Sequence, residues 1–267
     1  MADLRGMGVR RFGRVNWLGL QTLATREIRR FLAVYTQTIM APVATSVLFM
    51  VVFTLAFGKG REGISGMPFE QFLAPGVLMM AVIQNAFANT SSSLMIAKVQ
   101  GNIVDTLMPP LSPGEVLAGY ALGGLARGLA CALAVGLLVF PVVGIGVAHP
   151  LWALAFVVLG SLMLSLLGLL AAIYAEKFDQ MAAITNFVVT PLSFLSGTFY
   201  SIERLPETFQ ALSHANPIFY LIDGFRFGVL GVSDSSPWVG LVLALAVVLL
   251  LGAIALSWLA RGYRLKS

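Results

Sequence analysis

Charged side chains are scarce in this sequence of 267 residues: Asp, Glu, Lys and Arg make up 11% of it, whereas hydrophobic residues make up 58%. Soluble domains carry about a quarter charged residues, so most of these side chains belong in lipid rather than in water. The mean hydropathy of +0.88 agrees with this interpretation. The composition therefore predicts an integral membrane protein and excludes most of the chemistry of soluble enzymes.

Few side chains here could support catalysis, metal binding or redox chemistry. The single cysteine, Cys131, lies in an apolar run, so an intrachain disulfide is impossible and a packing role is expected. His149 and His214 have no convincing acidic or metal-binding partner. No G-x-x-x-x-G-K-S/T phosphate loop occurs, so this chain is not expected to bind ATP in that way. No acidic or histidine relay runs through the apolar segments, which argues against a proton- or sodium-coupled carrier.

Six long apolar stretches predict six transmembrane helices, because a helix needs about 20 apolar residues to cross a bilayer. The predicted spans are 38–57, 72–97, 129–147, 151–174, 181–200 and 238–260. The predicted fold class is all-α integral membrane, with one domain over 1–267. Its parts are a tail with a surface helix in 1–36, spans one to five in 37–200, an outer segment in 201–236, span six in 237–260 and a tail in 261–267.

Lys and Arg fall unevenly on the two sides of these spans. Twelve lie on the side of the termini: Arg5, Arg10, Arg11, Arg14, Arg26, Arg29, Arg30, Lys98, Lys177, Arg261, Arg264 and Lys266. Four lie on the other side: Lys59, Arg61, Arg204 and Arg226. Because cytoplasmic loops are enriched in these residues, both termini are predicted to be cytoplasmic. The net charge of +5 reflects this bias, so no nucleic-acid partner is expected, and no secretory signal is apparent.

Residues 16–32 show the pattern of an amphipathic helix. One face has Trp17, Leu20, Ala24, Ile28 and Phe31, and the opposite face has Arg26, Arg29 and Arg30. Such a helix would lie along the membrane surface, with its apolar face at the headgroups and its cations near anionic lipid. It could serve only as an anchor before the first span, or also as a contact surface for a cytoplasmic partner.

A short cytoplasmic element is predicted at 102–108. The three prolines that follow, Pro109, Pro110 and Pro113, forbid a continuous helix between spans two and three. Before them, 102–108 reads as one or two amphipathic helical turns that Asn102 can cap. The candidate partner-contacting residues are Asn102, Asp105, Leu107 and Met108. A docking element and a plain connector both fit this pattern.

The outer segment 201–236 is too long for a simple turn and too apolar for a solvated loop. A break at Asn216-Pro217 divides it into two short helical pieces, which together suggest a re-entrant pair in the outer leaflet. Asp223 and Arg226 are three residues apart on the second piece, so they can form an ion pair on one face. The expected role of that pair is to keep a half-buried helix neutral.

Polar side chains occur inside two of the predicted spans. Asn85, Asn89 and Ser92 are spaced i, i+4, i+7 and share one face of the second span. The fifth span carries Asn186, Thr190 and Ser193. These residues could hold helices together or line a transport path. Arg127, just before the run that begins at 129, is expected to lie near the cytoplasmic end and to snorkel to the headgroups.

The stretch 190–200, Thr-Pro-Leu-Ser-Phe-Leu-Ser-Gly-Thr-Phe-Tyr, is similar to the fifth-span pattern of the ABC-2 type permease family, the membrane subunits of bacterial ABC exporters. Leu205-Pro206, Asn216-Pro217 and the Asp223/Arg226 pair follow at that family's usual intervals. The chain thus resembles this family, and within it the YadH-like permeases, over essentially its whole length. The resemblance is most specific over 191–231.

This resemblance implies an ATP-driven exporter in the bacterial inner membrane. Two permease chains would form the path, and two separate ATPase subunits, which bind ATP and Mg²⁺, would dock from the cytoplasm; no cofactor is expected in this chain. The surface helix would be the family's connecting helix, 102–108 its coupling helix and 201–231 its outer re-entrant helices. The alternatives are an ATP-independent channel or secondary carrier and a membrane-bound enzyme. Polysaccharide, drug, lipid-like molecule and heme-related cargo all stay open as the substrate.

Overall fold

The computed structural model describes residues 15–57, 67–202 and 206–264, which form helices joined by turns, with no β-strand among them. The helices are α1 (Trp17–Ala33), α2 (Ala41–Phe57), α3 (Phe69–Val99), α4 (Ile103–Leu107), α5 (Pro113–Val143), α6 (Pro150–Tyr174), α7 (Phe178–Ile184), α8 (Thr190–Leu195), α9 (Glu207–His214), α10 (Pro217–Leu230) and α11 (Pro237–Arg261). π-Helical turns at Thr36–Met40 and Thr185–Val189 precede α2 and join α7 to α8. The predicted all-helical class is confirmed for these residues.

Some residues used in the sequence predictions lie outside the described residues. They are Arg5, Arg10, Arg11, Arg14, Lys59, Arg61, Arg204, Leu205 and Lys266.

Five helical segments are long and apolar enough to cross a membrane: Thr36–Ala56, Phe69–Val99, Pro113–Val143, Pro150–Tyr174 and Pro237–Arg261. They correspond to predicted spans one to four and six. The predicted fifth span, 181–200, is not among them. The helical stretch there, 178–195, ends at Leu195 and is less apolar, since it contains Asp179, Gln180 and Asn186. The predicted count of six spans is therefore not confirmed by helix length and composition alone.

The start of α5 lies well before the apolar run that predicted the third span. Ser112 and Glu115 form a capping box: the Glu115 N–H donates to Ser112 Oγ at 3.3 Å, and the Ser112 N–H donates to Glu115 Oε2 at 2.7 Å. Pro113 occupies the first helical turn, where its missing N–H costs nothing. These two features begin the helix at Pro113, sixteen residues before the predicted start at 129.

The centre of the bundle is formed by α3 and α6. In each of them 78% of the most apolar stretch is buried, against 17% in Thr36–Ala56 and in α11. Apolar side chains on the outside of α2 and α11, such as Leu48 and Leu249, are exposed. This distribution suits a bundle whose outer helices face lipid.

One end of the bundle gathers the last turns of three long helices. Lys98, near the end of α3, donates hydrogen bonds of 2.6–3.0 Å to the carbonyl oxygens of Ala172, Ile173 and Ala175, at the end of α6. Arg264, just after α11, donates to the Tyr174 carbonyl oxygen at 3.0 Å. At this end α1 also meets α4, because Arg26 Nη1 donates to Thr106 Oγ1 at 3.2 Å.

The opposite end of the bundle carries α10 and the turn after α8. The turn between α5 and α6 pairs with α10, since the His149 N–H donates to the Gly228 carbonyl oxygen at 2.7 Å. Gly76, in the second turn of α3, packs so closely against Thr198 that a Cβ there would overlap the Thr198 carbonyl oxygen. The two short helical pieces predicted for 201–236 are α9 and α10. Asn216 separates them and caps α10, with its Oδ1 accepting the Ile218 N–H at 3.0 Å.

The amphipathic helix predicted at 16–32 is α1, and Asn16 Oδ1 caps it by accepting the Gly19 N–H at 3.0 Å. Of the predicted apolar face, Trp17 is exposed and Phe31 is buried within the protein. The buried positions are Leu23, Glu27 and Phe31. They face α5, whose Gly119 and Gly123 leave room for Leu23 and Glu27. The pattern of apolar residues cannot predict a buried face that has a charged residue, Glu27, at its centre.

Replacing Gly168 of α6 with alanine should destabilise the centre of the bundle. An added Cβ would lie 2.5 Å from the Phe87 carbonyl oxygen on α3, so the two helices would have to move apart. Overpacking of this kind costs about 1–3 kcal/mol, and thermal unfolding of the detergent-solubilised protein should show a lower Tm.

Gly252→Ala on α11 is the matched control, since the nearest atom to its Cβ would be 3.9 Å away. A Tm for Gly168→Ala equal to that of the wild type would contradict the close contact between α3 and α6.

Candidate functional site

The side of α3 that carries Gln84 and Asn85 faces two cavities. The larger, of about 570 Å³, lies between α3 and the α7–α8 segment, and its polar lining residues are Gln84, Asn85, Ser91, Ser92, Thr185 and Thr190. The smaller, of about 280 Å³, lies between α3 and the start of α2, and its polar lining residues are Gln37, Thr45, Ser46, Gln84 and Asn85. Because both cavities include Gln84 and Asn85, they adjoin along α3. We call Gln84, Asn85 and Ser92 the polar strip.

Three of the six predicted path-lining residues, Asn85, Ser92 and Thr190, line the larger cavity. Asn89 does not: it is fully buried, and Arg30 Nη2 donates to its carbonyl oxygen at 2.7 Å and to its Oδ1 at 3.1 Å. Successive residues of an α-helix are about 100° apart, so Asn89 is rotated by about 40° from Asn85. That rotation is enough to turn Asn89 away from the cavity and towards α1.

Of the three residues predicted to line a path from the fifth span, only Thr190 lines one of the two cavities. Ser193 is fully buried and donates to the Val189 carbonyl oxygen at 2.7 Å, while Asn186 is exposed and lines neither cavity. Thr185 lines the larger cavity with Thr190, since the Thr190 N–H donates to the Thr185 carbonyl oxygen in a π-helical turn. Such a turn places residues five apart on one face. A regular helical repeat does not predict that pair.

Arg127 lies behind Asn85, in the middle of α5. Arg127 is only 8% exposed, and its Nη2 donates a hydrogen bond of 2.8 Å to Asn85 Oδ1. The Asn85 Nδ2 in turn donates to the Ala81 carbonyl oxygen at 2.9 Å. The prediction that Arg127 snorkels to the headgroups is wrong, because its side chain is buried against α3 instead of extending towards a helix end. α5 begins at Pro113, fourteen residues before Arg127.

Glu27 is a buried carboxylate that joins α1 to α3. Its Oε2 lies 3.3 Å from Arg30 Nε, and its Oε1 lies 3.4 Å from Arg26 Nη2. Ser93 Oγ donates to the same Oε1 at 2.9 Å. A buried carboxylate is stable only when it is paired and hydrogen-bonded, and these three groups meet that need. Arg26 and Arg30, predicted to face the membrane surface, therefore contact protein instead.

The short element predicted at 102–108 is α4. Ile103 and Thr106 are buried against the bundle, whereas the opposite side is exposed. All four candidate coupling residues, Asn102, Asp105, Leu107 and Met108, lie on that exposed side, together with Val104. Asn102 precedes the helix but makes no capping bond with its side chain, which donates instead to Gln100 Oε1 at 3.4 Å.

A continuous series of side-chain contacts runs from α4 to the larger cavity. Arg26 Nη1 donates to Thr106 Oγ1 at 3.2 Å, and Arg26 Nη2 lies 3.4 Å from the Glu27 carboxylate. Glu27 holds Arg30, whose Nη1 donates to Ser92 Oγ at 3.3 Å. Ser92 is part of the cavity wall. These contacts connect α4 to the wall of the larger cavity.

Asp223 and Arg226 lie on α10 with both side chains 1% exposed and with Arg226 Nη1 3.6 Å from Asp223 Oδ1. The Asp223 carboxylate also accepts hydrogen bonds from the Asp234 N–H at 2.8 Å and from the Ser235 N–H at 2.9 Å. Arg226 Nη2 donates to the Gly197 carbonyl oxygen at 2.6 Å. The pair thus ties α10 to the turn before α11 and to the turn after α8.

The family model of the ABC-2 type transporter matches residues 19–230 of this sequence. The chain belongs to the ABC-2 type transporter family. The inner membrane transport permease YadH of Escherichia coli is 40% identical over 222 residues, which are 82% of this chain and 85% of that protein. Nodulation protein J of Sinorhizobium fredii is 25% identical over 178 residues, 66% of this chain and 68% of that protein.

This member of the ABC-2 type transporter family is a membrane transport protein, and the resemblance found in the sequence is confirmed. The matched region runs from α1 to the end of α10. It therefore includes both cavities, the Glu27 contacts, α4 and the Asp223–Arg226 pair, while α11 lies outside it.

In this ABC-2 transporter, Asp223→Ala should reduce the amount of folded protein. The change leaves Arg226 as an unpaired buried charge, and breaking a buried pair costs about 3–5 kcal/mol. Size-exclusion chromatography of detergent extracts measures the monodisperse yield. The double change Asp223→Ala with Arg226→Ala should recover part of the loss, but not all, because the Asp234 and Ser235 N–H groups stay without their acceptor.

Glu207→Ala removes an exposed carboxylate from α9 and is the control. If the double variant is no better than the worse single variant, Asp223 and Arg226 do not compensate each other.

Proposed function

We propose that this chain is the membrane-spanning permease subunit of an ATP-driven ABC exporter in a bacterial inner membrane. The observation that carries the proposal is the polar strip of α3 with its two cavities, in a chain that is otherwise dominated by apolar residues. Family membership supports a transport function. The inner membrane location is supported by the 40% identity to a protein named as an inner membrane transport permease.

The α7–α8 segment supplies the sixth membrane crossing. The turn before it lies beside Lys98 and Arg264, whereas Gly197, just after it, contacts Arg226 at the opposite end of the bundle. Its 18 residues would extend about 27 Å, close to the thickness of about 30 Å of the hydrocarbon core. Together with the five long helices it makes six crossings and returns both termini to one side.

The end of the bundle that holds α1, α4 and the end of α11 faces the cytoplasm. The cations at that end are Arg26, Arg29, Arg30, Lys98, Lys177, Arg261 and Arg264, as the positive-inside rule requires. There α1 lies along the membrane surface, with its exposed Trp17 at the lipid headgroups. At the other end, α9 and α10 form the outer re-entrant pair, and α10 is covered by α3 and α6, as buried non-spanning helices must be.

Two copies of the chain form the translocation path. Gln84, Asn85 and Ser92 are only half-buried within one chain. Although Arg127 and Arg30 donate hydrogen bonds to Asn85 and Ser92, leaving polar groups exposed to lipid costs free energy. A second copy that covers the polar strip would remove this cost and would turn the cavities into a path between the subunits. Asn85, Ser92 and Thr190 are the path-lining residues in this proposal; Asn89, Asn186 and Ser193 serve packing or other contacts.

Two ATPase subunits dock on α4 from the cytoplasm, one on each permease chain, and bind the ATP and Mg²⁺. The docking surface is formed by the exposed apolar side chains of Val104, Leu107 and Met108, with Asp105 beside them. α4 then acts as the coupling helix and α1 as the connecting helix. The contacts from Thr106 through the Glu27 carboxylate to Ser92 would carry movement of α4 to the path. Cargo leaves through this path, and no nucleic acid takes part.

Leu107→Lys should reduce the amount of ABC ATPase that copurifies with this permease by about tenfold or more, since burying a lysine charge in an apolar contact costs at least about 1.4 kcal/mol. The permease would be co-expressed with the ATPase of the neighbouring reading frame, and the ratio of the two chains would be measured after affinity purification. Leu212→Lys, at an exposed leucine of α9, is the matched control.

Unchanged ATPase retention in both Leu107→Lys and Met108→Lys would assign α4 the role of a plain connector. Failure of the wild-type chain to retain any ATPase would contradict the exporter itself.

A further inference from the structure

Arg127 differs from the other buried arginine of the described residues in having no carboxylate partner. Arg226 faces Asp223, and the half-buried Arg30 faces Glu27. Arg127 makes no salt bridge within the described part of the chain, and its one hydrogen bond goes to the neutral amide of Asn85. Its Nε is buried without a partner.

A buried guanidinium keeps its charge in a protein, and a charge within a membrane-spanning helix is costly. Such residues almost always face the bundle interior or a water-filled cavity, and they mark substrate or ion pathways. The Arg127 side chain is buried against Asn85 on α3 rather than extended towards a helix end. Its Nε has no acceptor among the described residues, and an anion would supply one.

The surroundings of Arg127 would accept an anion. Asn85, its only hydrogen-bond partner, lines both cavities, so the charge lies directly behind the shared wall. None of the described residues that line the two cavities is acidic; their polar groups are amides and hydroxyls. Amide N–H and hydroxyl groups can donate hydrogen bonds to the oxygens of a phosphate or carboxylate. The larger cavity also has apolar walls, including Phe87, Met95 and Phe178, which suit a hydrocarbon tail.

We infer that the path selects an anionic amphiphile, whose phosphate or carboxylate group passes Asn85 while Arg127 supplies the compensating charge. This inference rests on the proposed function, because it names the class of cargo for the same path. An entering anion would compete with the neutral Asn85 Oδ1 for the Arg127 N–H donors. It would win that competition, since hydrogen bonds between charged groups are shorter and stronger than those to a neutral acceptor.

The test measures equilibrium binding of two fluorescent probes, dansyl-labelled decyl phosphate and dansyl-labelled decyltrimethylammonium, to the full chain in nanodiscs of neutral phosphatidylcholine. The wild type should bind the phosphate probe at least about tenfold more tightly than the cationic probe. Arg127→Gln should abolish this preference. Asn85→Asp should abolish it as well, because it places a fixed carboxylate where Asn85 Oδ1 now lies, 2.8 Å from Arg127 Nη2.

Arg29→Gln is the control for net charge, because Arg29 is an exposed arginine of α1 and should leave the preference for phosphate unchanged. Equal affinity of the wild type for the two probes would overturn the inference, as would a preference for phosphate that survives Asn85→Asp. If Arg127→Gln does not fold, Asn85→Asp decides alone, since it keeps the arginine and supplies its partner. Probe binding is measured without an ATPase and is therefore independent of the copurification test. If the chain retains an ATPase in that test but binds both probes equally, the exporter proposal stands and the anionic cargo is contradicted.

Discussion

The pairing of the Glu27 carboxylate with Arg26, Arg30 and Ser93 holds α1 against α3 at the end of the bundle that also carries α4. A charge buried in an apolar bundle must find its partners inside the protein, and here those partners come from α1 itself and from α3. The same arginines continue to Thr106 on α4 and to Ser92 on the cavity wall. Without Glu27, α1 would keep the apolar contacts of Leu23 and Phe31, but the series of contacts from α4 to the polar strip would be interrupted.

The buried charges of this chain divide by what compensates them. Glu27 is paired and hydrogen-bonded by protein groups, Asp223 and Arg226 pair with each other, and each of these charges ties a peripheral segment to the central helices. Arg127 has no carboxylate partner among the described residues; it lies between α5 and α3, hydrogen-bonded to Asn85, which lines both cavities. The paired charges connect parts of the fold, whereas the inference above gives the charge of Arg127 to the cargo. This difference is why the proposed specificity is assigned to Arg127 and not to the outer ion pair.

Hydropathy predicts the five long helices because each is apolar along its length, owing to lipid exposure in α11 and to burial in the core in α3 and α6. It fails where another force sets the structure. A capping box begins α5 at Pro113, so Arg127 lies at mid-helix instead of near the start of the helix. Part of the site could be predicted, since Asn85 and Ser92 lie on the cavity side of α3 as helical spacing indicates. Asn89 instead accepts a hydrogen bond from Arg30. Thr185 lines the cavity beside Thr190 because of a π-helical turn, which a regular helical repeat does not predict. The burial of Glu27 could not be predicted, because a carboxylate in an amphipathic helix is expected to face water unless its partners on another helix are known.

The central claim is that the polar strip of α3 is half of a path completed by a second copy of the chain. It is tested most directly by cross-linking in membranes with a bis-maleimide, on a Cys131→Ala background that carries Gln84→Cys. Gln84 is half-buried and lines both cavities, whereas Leu249→Cys on the exposed side of α11 is the control. The account predicts covalent dimers with Gln84→Cys and far fewer with Leu249→Cys. Equal yields at the two positions, or no dimer with Gln84→Cys, would contradict it.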